Sequence, residues 1–168
     1  MTNQVGIHIM RFVLLVLLQV LILNHVNFLG YINPYPYILF ILLFPISPNR
    51  PLFIFLAFIL GLTIDFFSDS GGIHAAACVT IAYMRPLFLK FSFGTSYEHQ
   101  TLRISTSEIG QRIGYFATII LLHHIVLFAL EVFNMSSILL IMKKALFSSI
   151  FTLIMCLILT VLFSRSSR

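Results

Sequence analysis

Long apolar runs alternate with short polar breaks along this chain. Residues 12–23, 52–64, 113–130 and 145–163 are almost free of charge. The basic residues fall between these runs, mostly in every second gap. No soluble domain hides that much apolar surface, so the solvent for these segments is lipid.

The pattern predicts six helices. The first covers residues 9–23 and extends as far as 29, with Asn24, His25 and Asn27 at its wet end. No small-x-small cleavage site follows it, so it reads as a retained span rather than a signal peptide. A Tyr- and Pro-rich stretch, residues 31–37, suits the headgroup level. Helix 2, residues 35–46, is short at about 18 Å. Helix 3 covers 51–67, helix 4 covers 73–89, helix 5 covers 112–133 and helix 6 covers 138–163. The turns between them fall at 47–51, 68–72 and 134–137, and residues 90–111 form the longest polar stretch.

Composition agrees. Hydrophobic residues make up 60% and charged residues 9% of the 168, and mean hydropathy is +1.05. A span takes about 20 residues, so six fill the chain as one transmembrane domain, residues 1–168. The net charge of +5 is read as topological loop charge, not as a nucleic-acid surface. Cys78 and Cys156 lie inside apolar segments and read as packing residues.

Charge also decides whether helix 2 crosses. With six spans and an inside N-terminus, Arg11, Arg50, Arg85, Lys90, Arg103, Arg112, Arg165 and Arg168 share the cytoplasmic side. Lys143 and Lys144 alone lie outside, completing the ten Lys and Arg. A re-entrant helix 2 would put the Arg85–Arg112 region opposite Arg11, against the positive-inside rule. The expected architecture is an all-α, six-helix integral membrane bundle with both termini cytoplasmic.

Few residues carry candidate chemistry. Asp65 lies near the end of helix 3, and Asp69, Gly71, Gly72 and His74 follow. A carboxylate at that depth needs a partner or water. Asp65 and His74 flank the glycine turn and are placed to meet across it; alternatively Asp69 or Ser70 caps helix 4. Gly71, Gly72, Ala75, Ala76, Ala77, Cys78 and Ala82 give helix 4 a small-residue face for close packing. His123 and His124 sit midway along helix 5. Adjacent helical positions point about 100° apart, which does not suit a shared metal. Hydrogen bonds into the bundle, to Thr80 or Gln19, are the expected role. Glu131 shares a face with His124. Only one membrane aspartate is visible, so no paired catalytic set is expected, and no cofactor.

The block Gly61-Leu-Thr-Ile-Asp65-Phe-Phe-Ser-Asp-Ser-Gly-Gly-Ile-His74-Ala-Ala resembles the helix 3–helix 4 signature of the rod shape-determining MreD family. Tyr83-Met-Arg-Pro86 and His123-His124-Ile-Val-Leu-Phe-Ala-Leu-Glu131 resemble one bacterial branch of it. Length and span number also fit. The resemblance implies a non-enzymatic component of the cell-elongation machinery in the bacterial inner membrane. It implies association with an MreC-like protein, and through it with MreB filaments and the RodA–penicillin-binding protein pair that supports peptidoglycan synthesis. The family in turn resembles, in fold, the substrate-binding components of energy-coupling-factor vitamin transporters. A solute-binding membrane subunit of that kind is the alternative expectation, and it would need a polar pocket at the outer face.

Overall fold

The computed structural model describes residues 2–26, 32–46, 49–94, 97, 102, 104–133 and 138–165. The sequence-predicted turn at 134–137, residues 47 and 48 of the turn before helix 3, and much of the 90–111 stretch lie outside them, as do Arg103 and Arg168. Among the described residues the chain is helical and has no β-strand. Helix α1 spans Thr2–Leu21 and is followed by a 3₁₀ turn, Leu23–His25. A 3₁₀ turn at Pro36–Ile38 leads into α2, Leu39–Leu43. Helices α3 (Arg50–Ser68), α4 (Ile73–Phe93), α5 (Ile109–Val132) and α6 (Ile138–Arg165) follow. Among the described residues, five helices are long and apolar enough to cross a membrane.

Local chemistry sets several of these ends. The Asn49 side chain accepts the Leu52 amide and Pro51 occupies the first turn, so α3 starts there. Asp69 closes α3 in the left-handed region, at φ 50°, a conformation that aspartate tolerates better than most residues. Gly72 opens α4 at φ 96°, where a side chain would be strained.

Helices α3, α4, α5 and α6 pack each on the next, and α1 packs on α3 and the central segment. Helix α4 therefore lies between two neighbours, as its small residues suggest. The faces turned away are apolar. Ile9, Val13 and Leu17 on α1, and Leu139, Ile150, Ile154 and Ile158 on α6, are exposed. Such continuous apolar surface is what lipid contacts.

The sequence expectation of a second continuous helix over 35–46 is corrected. Its helical part is broken into the 3₁₀ turn and five α-residues, with non-helical backbone on both sides. Tyr37, Ile38, Leu39, Ile41 and Leu42 have no exposed surface. The segment is the core, with the longer helices around it. Non-helical backbone at membrane depth must find partners within the protein, and it does. The Asn33 amide donates to Ser148 Oγ at 3.3 Å and the Tyr35 amide to Thr152 Oγ1 at 3.0 Å. Gln19 Nε2 donates to the Pro34 carbonyl at 3.4 Å. Laid end to end, a mixed extended and helical path over residues 32–46 has a contour of roughly 35 Å, against about 22 Å for one α-helix.

The other end of the segment is closed by Arg85, which is 3% exposed. Its guanidinium donates to the Leu42 carbonyl at 3.3 Å, to the Phe44 carbonyl, and to the Tyr115 hydroxyl at 2.9 Å. The Phe53 ring lies 4.9 Å from it. A cation at the carbonyl end of a short helix opposes the dipole there. Arg85 is therefore not a loop charge for topology, as the sequence suggested, but the C-terminal cap of α2. No carboxylate among the described residues pairs with it.

Candidate functional site

The site is built where α3 turns into α4. Asp65 is 5% exposed, and its two oxygens take three donors. Oδ1 accepts Ser70 Oγ at 2.6 Å and the His74 amide at 3.0 Å; Oδ2 accepts the Ala75 amide at 2.8 Å. The first amides of a helix have no partner inside it, and the dipole there favours negative charge. The carboxylate meets both needs in a place where lipid meets neither. The capping residue is thus Asp65, not Asp69 or Ser70; Asp69 is exposed and Ser70 serves Asp65. Asp65 and His74 do meet across the turn, through the His74 backbone amide rather than its ring.

The close helix contact belongs to Gly61. A methyl added there would lie 2.5 Å from the Ala75 Cα and 2.6 Å from the His74 carbonyl oxygen. Gly71 and Gly72 face open space, and their role is the left-handed turn, at φ 67° and 96°. The expected small-residue face is corrected accordingly. Ala75, Ala77, Cys78 and Ala82 are buried, while Gly71 and Ala76 are exposed.

The His74 ring, 4% exposed, points into the bundle. Its Nδ1 lies 2.7 Å from the Tyr37 hydroxyl, and the same hydroxyl lies 3.0 Å from His123 Nε2. A phenol has one proton, so it donates to one ring and accepts from the other. His123 Nδ1 is buried and has no hydrogen-bond partner. His124 belongs to a second chain. Its Nδ1 lies 2.7 Å from the Ile120 carbonyl and so carries the proton. Its Nε2 then accepts from Thr152 Oγ1 at 3.2 Å, and Thr152 accepts the Tyr35 amide. The two histidines bond to Tyr37 and Thr152, not to Thr80 or Gln19. Thr80 bonds within its own helix, to the Ala76 carbonyl, and Gln19 bonds to Asn24 and Pro34.

A cavity of about 610 Å³ opens at this end of the bundle, between Asn24, Tyr35, Ser68, Asp69, His74 and Glu131. Glu131 also pairs with Lys144 Nζ at 2.9 Å, and that ammonium lies 5.4 Å from the Phe128 ring centre. Both cysteines are free and buried. Among the described residues no group of three His, Cys, Asp or Glu side chains is placed to hold a metal ion.

Sequence reasoning reached Asp65, His74, His123 and His124 but missed what joins them. Tyr37 read as an interfacial tyrosine, and Thr152 was one hydroxyl in an apolar run. Arg85 carried a usable signal: a charge within an apolar helix marks a buried partner. Comparison with protein-family models, curated proteins and solved structures finds no match.

Proposed function

We propose that this chain is a non-enzymatic scaffold of the rod shape-determining MreD type, in a bacterial inner membrane. It crosses six times, with both termini cytoplasmic. It holds an MreC-like protein and, through it, MreB and the RodA–penicillin-binding protein pair. The observation that carries the reading is what becomes of the block on which the resemblance rests. Gly61 sets the helix spacing, Asp65 caps α4, Gly71 and Gly72 make the turn, and His74 ties it to Tyr37. The block acts as one rigid clamp, which suits a partner-holding surface and leaves Asp65 no free oxygen for chemistry.

Two observations support the six-span topology. The path of residues 32–46 is long enough for the roughly 30 Å core. Arg50 at the start of α3, Lys90 near the end of α4 and Arg112 near the start of α5 lie at the end opposite the α3–α4 turn, while Lys144 pairs with Glu131, which lines the cavity at that turn.

Purification from native membranes with mass spectrometry tests the role. An MreC-like coiled-coil protein should co-purify, and depletion of the chain should round the cells. The cavity beside His74 favours a second reading, the solute-binding subunit of a transporter. A transport ATPase in place of the MreC-like protein would establish that reading and remove the scaffold one.

A further inference from the structure

A groove of about 480 Å³ lies between α4 and α5, lined by Leu87, Phe88, Lys90, Phe91 and Thr118. Its two walls differ in bulk. Gly114 lies one turn before Thr118 on the same face of α5, and a methyl added there would meet nothing within 4 Å. On the other wall Leu87 and Phe91, 63% and 85% exposed, stand one turn apart on α4. The hydroxyl in the lining is spent inside its own helix: Thr118 Oγ1 bonds the Gly114 and Tyr115 carbonyls at 2.9 and 3.1 Å. The deep part of the groove therefore offers contact to hydrocarbon and little else.

Polarity changes at one end. Lys90 stands three residues before α4 ends at Phe93, so its ammonium reaches headgroup depth while its stem follows the apolar wall. Leu87 lies about a turn deeper, and Thr118 lies nine residues into α5 from Ile109, about 14 Å along the axis. Among the described residues no Asp or Glu lines the groove. A cation at the shallow end, with a hydrocarbon trough leading inward from it, complements an amphiphile with an anionic head. A second copy of this chain suits it less. Two copies related by an axis along the membrane normal would bring Lys90 of each to the same depth, charge facing like charge.

We propose that the groove holds one acyl chain of an anionic phospholipid, with the phosphate at Lys90. The site selects by head charge, unlike the general lipid shell on the outer faces of α1 and α6. The leaflet concerned is cytoplasmic in the topology proposed above. The inference itself needs only the order of charge and hydrocarbon along the groove, and it does not rest on the scaffold role.

The test uses the purified full chain in maltoside detergent, with a phosphatidylglycerol that carries a diazirine on its acyl chain. Photolabelled peptides are mapped by mass spectrometry. The expected result is saturable labelling around Leu87–Phe91 and Gly114–Thr118. Unlabelled phosphatidylglycerol should displace the probe at about fivefold lower concentration than chain-matched phosphatidylcholine, the effect of one basic residue beside an anionic head. Lys90→Gln should erase that preference and leave the labelled positions the same. Gly114→Leu should remove labelling from the groove but not from the exposed α6 face at Ile150 and Ile154. Leu87→Trp, at an exposed position, fills the groove from the other wall and gives the same loss should Gly114→Leu fail to fold. Equal competition by the two lipids overturns the proposal, as does a preference that survives Lys90→Gln. So does groove labelling that survives filling, or that is no stronger than on α6. A groove shielded from the probe in a protein that elutes as a dimer also overturns it, and assigns the surface to a second copy.

Discussion

Gly61 and Ala75 meet backbone to backbone: a methyl on Gly61 would stand 2.5 Å from the Ala75 Cα. The contact brings α4 close enough for Asp65, one turn further along α3, to reach its first amides. Packing and capping at this turn are one arrangement.

Gly61→Ala should therefore lower the thermal midpoint in detergent, at a cost of about 1–3 kcal/mol for overpacking. Gly110→Ala is the control, because nothing lies within 4 Å of it and its backbone is helical. That change should be neutral or stabilising by up to about 1 kcal/mol. Equal midpoints for the two variants would refute the close contact.

Asp65→Asn keeps the shape but turns one acceptor into a donor facing amide N–H groups. The expected loss is about 1–3 kcal/mol, measured by thermal unfolding, with weaker co-purification of the MreC-like partner. A variant that folds and binds that partner normally, yet stops uptake or turnover of a defined small molecule, would remove the scaffold reading.

Thr152→Val and Thr160→Val form a matched pair. Thr152 joins the Tyr35 amide to His124, whereas Thr160 bonds its own helix, at the Cys156 carbonyl. The first should cost about 1–3 kcal/mol by leaving buried groups unpaired; the second should cost much less. Chemical denaturation of both in the same detergent measures the difference.

Arg85→Lys preserves charge but not the planar fork that serves two carbonyls and a phenol. Loss of one or more of those bonds should cost about 1–3 kcal/mol each, seen as a lower unfolding midpoint. A fully stable Lys variant would show that charge alone closes α2.

Topology is tested by single cysteines. One replacing exposed His25 should be labelled from outside the cell, and one replacing exposed Gln111 only after permeabilisation. External labelling of the second would sink the six-span arrangement.

The long helices were legible because length and hydropathy are all that lipid asks of them. The break in the second was not. Residues 35–46 are as apolar as a helix, and it is distant side chains, Gln19, Ser148 and Thr152, that make the extended backbone leading into them tolerable. The meeting of Asp65 and His74 was legible across the glycine turn, but Asp69 or Ser70 was the alternative cap for α4 because both sit nearer the helix start in sequence, while the carboxylate that caps it comes from the preceding helix. Arg85 was counted with the loop charges because its partners, Leu42, Phe44 and Tyr115, lie on other segments.

The stretch from Asn33 to Tyr35 also constrains the order in which the protein is made. The Tyr35 amide takes its partner from Thr152, a separation of 117 residues. While α6 is still inside the ribosome, that backbone has nothing to bond but water or the insertion machinery. The second segment is thus threaded early and completed last. The centre of the bundle is complete only once its final helix closes onto that extended segment, and a chain truncated before Thr152 leaves the Tyr35 amide without its partner.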